Sequence, residues 1–176
     1  MLDVFHTLAE VSVAITGFSS LIIIFRGSSS GWSRQDYVSF AYVLSWSIGC
    51  IFLSLLPIVL VEFGMNLSAI ARVGLFGAIV YMFTVGGILM ATRNRIAREV
   101  GNGDPLWRSA TGGGGVGLGM LLSFLVIVVG SLAAGLGLLP GPKHAWYAAT
   151  IVLLMAHATA ELGFFVVRTA RHPDLE

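Results

Sequence analysis

Five apolar stretches, at 4–25, 36–63, 67–92, 116–139 and 145–167, leave this 176-residue chain almost nowhere to put a water-soluble core. The hydrocarbon of a bilayer is about 30 Å thick, and about 20 helical residues cross it. Each stretch is long enough. In lipid every backbone polar group must be satisfied within the segment, which makes such stretches helices and not open strands. The expected fold is therefore all-α: a polytopic transmembrane helical bundle of five spans, one domain over residues 1–176, with a basic loop at 93–111. A mean hydropathy of +0.89 and a charged fraction of 11% support the membrane class. A formal charge of +1 with no basic face argues against nucleic acid. The single cysteine, Cys50, rules out an internal disulfide and a thiolate metal cluster. Met1-Leu2-Asp3 offers no basic region ahead of the first stretch, so a cleavable signal is not expected.

The connections are short. Gly27 to Gly31 reads as a flexible link, and Trp32 as an interfacial anchor before a helix start at Ser33 and Asp36. Pro57 should kink the second span, with Ser54 placed to satisfy the carbonyl that the proline releases. Gly64 and Asn66 make a tight turn. The third span runs on through Arg93, Arg95 and Arg98, too charged for lipid, as a helical extension into water that Gly101-Asn102-Gly103 ends. Asp104 and Pro105 then open a short interfacial helix through Arg108. The four glycines at 112–115 lack the Lys-Ser/Thr of a phosphate loop and read as a hinge or close contact. Pro140-Gly141-Pro142 is a rigid turn, followed by Trp146 and Tyr147 as interfacial anchors.

In the fourth span Gly115, Gly119 and Ser123 recur every fourth residue, and Gly130, Ala134 and Gly137 continue a small face. Small faces let membrane helices approach closely, so this span reads as a packing spine. Arg26, Arg34, Arg93, Arg95, Arg98, Arg108, Arg168 and Arg171 fall on one side of a five-span topology, against Arg72 and Lys143 on the other. By the positive-inside bias the amino terminus faces outward and the carboxyl terminus the cytoplasm.

Chemistry concentrates on the first and last spans. His6 and Glu10 stand four residues apart on one helical face, with Gly17 on the same side and Ser12 and Ser19 on the other. The last span repeats the pattern: Thr150, His157 and Glu161 share a face, again with His and Glu four apart. An ionisable group at the centre of a bilayer costs about 2.5 to 3.5 kcal/mol on insertion scales and normally faces protein or water. A first helix face to face with the fifth would stack His6, Glu10, His157 and Glu161 into a ladder across the hydrocarbon, as a proton or cation path requires. Two other readings stand beside it. The same groups can be interhelical hydrogen-bond glue, or a His and Glu at i and i+4 can share a divalent metal. Haem ligation fits poorly, because His157 alone is deep; no metal site or cofactor is assigned. No nucleophile elbow, HExxH or Asp-rich phosphotransfer motif occurs, so an enzyme is not expected.

Ala9-Glu10-Val11, Thr16-Gly17-Phe18-Ser19-Ser20-Leu21, Gly31-Trp32-Ser33-Arg34-Gln35-Asp36 and Ser54-Leu55-Leu56-Pro57 together resemble a group of small polytopic bacterial proteins with no assigned activity. The resemblance covers the first third of the chain and implies a bacterial inner-membrane setting, multi-pass, without implying a mechanism.

The sequence thus leads to an oligomeric channel or transporter for protons or small cations, a homo-oligomer in the lipid bilayer, with Glu10 and Glu161 as relay and His157 as partner. Its alternatives are a scaffold that binds a cytoplasmic protein through Arg93, Arg95, Arg98 and Arg108, and a metal-binding membrane protein.

Overall fold

The computed structural model describes residues 2–27, 34–100 and 115–171. All of its regular structure is helical: α1 Leu2–Gly27, α2 Arg34–Glu62, α3 Leu67–Val100, α4 Gly115–Leu136 and α5 Lys143–Arg171. Four of these, all but α4, are long and apolar enough to cross a membrane, and α4 carries a shorter apolar run over Leu122–Leu136. The short helix expected at Leu106 to Arg108 and the stop at Gly101 to Gly103 lie outside the described residues.

Helix ends follow from local chemistry. α2 closes at Gly64, whose φ of 75° only glycine adopts freely; Gly64 N–H donates to Val61 O and Met65 N–H to Leu60 O. Asn66 then caps α3, its Oδ1 accepting the Ala69 N–H at 2.8 Å. α4 ends in the same way at Gly137, φ 79°, with Leu138 N–H bonded to Ala133 O. The fourth helix is therefore shorter than the stretch 116–139 suggested: Gly137 enters the left-handed region and carries Leu138 and Leu139 into the turn. α5 begins at Lys143, two residues before the expected start.

In the bundle α2, α3 and α5 pack on one another, α1 lies along α2 with a lighter contact to α5, and α4 lies against α3 and α5. The core runs from Phe5 and Leu8 through Trp46, Cys50 and Leu53 to Leu75, Met82, Ile127, Tyr147 and Leu154. Large apolar side chains such as Phe18, Phe25, Phe52, Val80, Phe83 and Val126 point outward, as lipid-facing residues do.

Two tyrosines lock the three inner helices. The Tyr147 ring fills the space that a Cβ on Gly74 would need, and the Tyr81 ring does the same at Gly49. Their hydroxyls donate to two carbonyls of α2: Tyr147 to Leu53 O at 2.5 Å, and Tyr81 to Ser45 O. The first bond has a specific cause. Pro57 has no N–H, so the carbonyl four residues earlier, that of Leu53, loses its helical donor. Tyr147 supplies the replacement. Ser54, expected to do so, makes no hydrogen bond with its buried hydroxyl. Nor is Tyr147 an interfacial anchor: it is fully buried, with its ring 5.6 Å from that of Phe5. Trp146 alone meets the turn, through Nε1–H to Pro140 O at 2.8 Å.

Candidate functional site

The polar groups of the bundle fall into an inner set and an outer set. The inner set joins α4 to α5. Ser123 Oγ lies 2.9 Å from His157 Nδ1, and Ser131 Oγ lies 2.9 Å from Thr150 Oγ1. Because Thr150 donates its one proton to Trp146 O, the proton of the second rung comes from Ser131. The partner numbers rise on one helix as they fall on the other, the register of antiparallel neighbours. His157 is 9% exposed and Thr150 5%, so both rungs are dry relative to bulk water. Trp46 stands edge-on to the His157 ring at 5.8 Å and meets Tyr81 and Phe124 on its other sides. The imidazole is thus held by one hydroxyl and one indole between α2, α4 and α5.

His6 and Glu10 form the outer set. At about 100° per residue Glu10 sits about 160° around α1 from Ser12. Ser12 and Ser19 are buried against the bundle, and Glu10 and His6 are exposed. The two faces of α1 are those the sequence distinguishes, with inside and outside exchanged. The serines suit the inside because each donates its hydroxyl to its own helix, Ser12 to Leu8 O and Ser19 to Ile15 O, both at 2.7 Å, and their small size admits α2. A carboxylate has no such internal partner. Glu10 makes no hydrogen bond or ion pair with another described residue.

The expected ladder therefore does not form within one chain. Phe5 packs on Tyr147, and Ile22 packs near Leu162 and Phe165, which sets Glu10 about 7 Å shallower than His157 along the parallel axes of α1 and α5. The depths are spaced as a ladder needs. The directions are not, because His6 and Glu10 leave on the far side of α1. Glu161 is half-buried on α5.

The small face of α4 divides similarly. Ser123 and Ala134 pack inward, whereas a Cβ at Gly119 or Gly130 would meet nothing within 4 Å. Gly115 opens the helix and Gly137 ends it. The inward stripe includes Ser131, only 1% exposed, which the small-residue pattern overlooked. Its spacing of eight from Ser123, against seven between Thr150 and His157, is the signal that would have found it. In the basic extension of α3, Arg95 pairs with Glu99 at 3.1 Å, with the Arg95 side chain 82% exposed, and Arg98 is also exposed. The Arg93 side chain and Arg108 lie outside what the structure describes. No three His, Cys, Asp or Glu side chains among the described residues approach closely enough to hold a metal.

Comparison with family models, curated proteins and solved structures gives no significant match to this chain.

Proposed function

We propose that the chain crosses a bacterial inner membrane five times, amino terminus outward, and assembles as a homo-oligomer that conducts protons or small cations past Glu10 at the subunit boundary. The reading is carried by one observation: an exposed carboxylate on the outer face of an apolar helix, flanked by outward Val11, Val13 and Phe18. Left in lipid it carries a cost, about 2.5 to 3.5 kcal/mol for a charge at the bilayer centre and less toward the surface, that a neighbouring subunit or a water-filled boundary removes. His157 and Thr150 are engaged in the rungs to α4, which favours a boundary path over one through the middle of a subunit. Liposomes containing wild type should carry a proton or monovalent-cation flux that Glu10→Gln lowers toward the protein-free background. Equal background leak from both proteins overturns the transport reading.

A second reading has its own support. The rungs Ser123–His157 and Ser131–Thr150 are what interhelical glue requires, and the exposed Arg95 and Arg98 offer a basic surface to a partner. On this view the chain is a scaffold. Loss of a co-purifying partner on replacing Arg95 and Arg98, with no flux from wild type, favours it.

A further inference from the structure

We propose that Arg95 and Arg98 of α3 hold the phosphodiesters of anionic phospholipids, a site that rests on the membrane crossing proposed above and needs neither conduction nor assembly. Direction is the first ground. Residues seven, eleven or eighteen apart on a helix return to the same line within about 20°. Arg98 therefore continues the line of Val73, Val80 and Gly87, and Arg95 that of Gly77, Thr84 and Ile88. All of these are exposed, as are both arginines, and a Cβ on Gly77 or Gly87 would meet nothing within 4 Å. The two arginines thus leave α3 sideways, on the stripe turned to lipid, and not across the end of the bundle where a soluble protein would sit.

Depth is the second ground. Gly74 lies against the Tyr147 ring and Gly86 against that of Trp46, which stands edge-on to His157, so α3 and α5 run the same way with Gly86 level with His157. Trp146, whose indole closes the turn at the opposite end, is about 16 Å along α5 from His157. Such indoles sit at the headgroup boundary, about 15 Å from the middle of the hydrocarbon, which puts the His157 level at the midplane. Arg95 lies about 14 Å and Arg98 about 18 Å beyond Gly86 toward the other surface. That is the layer of ester and phosphate groups. Charge is the third ground. A guanidinium presents a planar fork of donors that matches a phosphodiester. Arg95 gives its Nε–H to Glu99 at 3.1 Å, and its two amino groups lie beyond that bond. Glu99 is the only acid between Thr92 and Val100, against Arg93, Arg95 and Arg98. A lipid of net negative charge is drawn in ahead of a zwitterionic one, whose own cation repels the arginines.

The test uses the full chain in nanodiscs of phosphatidylcholine and phosphatidylglycerol in equal amounts, released for native mass spectrometry that counts the lipids retained. Wild type should keep phosphatidylglycerol in preference by about five-fold, the worth of one arginine at a membrane surface. Arg95→Gln combined with Arg98→Gln should bring the ratio toward one. Arg98→Gln alone, which leaves the Arg95–Glu99 pair in place, should give a partial loss. Arg72→Gln, which removes an exposed cation at the opposite end, should change nothing. An even ratio in wild type, an unchanged ratio in the double variant, or an equal loss in Arg72→Gln overturns the site. So does an acidic soluble protein that co-purifies with wild type and is lost from the double variant at an unaltered lipid ratio. Failure of the membrane crossing reads differently: wild type would then wash from vesicles in alkaline carbonate.

Discussion

The hydroxyl of Tyr147 carries one consequence that can be measured directly. It is the donor for the Leu53 carbonyl that Pro57 leaves without a helical partner. Tyr147→Phe should destabilise the protein by about 1 to 3 kcal/mol, the cost of a buried polar group left unpaired, read as a lower unfolding midpoint in detergent. In a Pro57→Ala background the same change should cost much less, because the restored N–H at 57 serves Leu53. Equal costs in both backgrounds would show the bond to be incidental. Gly74→Ala should also destabilise, by about 1 to 3 kcal/mol through overpacking, since the Tyr147 ring occupies that space. For the α4–α5 rungs, a double-mutant cycle between Ser123→Ala and His157→Ala should give a coupling of about 0.6 kcal/mol, with about 1.7 as the upper end for membrane hydrogen bonds. Of these residues the sequence flagged Ser123, Thr150 and His157 by type and spacing. It misassigned Tyr147, because an aromatic just after a turn looks the same whether it faces the interface or the core; only the missing N–H of Pro57 at the same depth distinguishes them.

At the level of single helices, α1 shows how far a pattern reaches. Periodicity separated the Ser12–Ser19 face from the His6–Glu10 face, since that needs only the helical repeat. Which face turns inward depends on the neighbour, and α2 fits closely against serines that bond to their own backbone. If copies meet along the outer face, cysteine at Ala14 or Gly17, in a chain with Cys50 replaced by Ala, should cross-link one subunit to another. Cysteine at Ser12 or Ser19 should not. The reverse pattern would place the contact elsewhere and remove Glu10 from the boundary. α4 teaches a similar lesson. Its small residues occur all around the helix, so composition alone could not choose the stripe through Ile127, Ser131 and Ala134 that the bundle buries, with Ser123 half-buried at its end.

On the scale of the whole molecule, helical class and helix positions were legible because long apolar stretches permit little else in lipid. Arrangement was not, because every helix is apolar nearly all round and the sequence does not rank its neighbours. The central place of α2, α3 and α5 comes from two glycine-seated tyrosines and one proline, features spread over about 100 positions. Topology is open to a direct measurement. With Cys50 removed, single cysteines near the two ends of the chain should label from opposite sides of sealed vesicles, and labelling from one side would rule out five crossings.

The Leu53 carbonyl has a consequence for biogenesis. The second helix emerges from the ribosome long before Tyr147 is made, so during synthesis the carbonyl that Pro57 leaves unpaired has no donor. Only the arrival of the final helix closes it. Nascent chains halted ahead of residue 143 should therefore remain sensitive to membrane proteases even with four helices inserted, and resistance should set in as the last one docks.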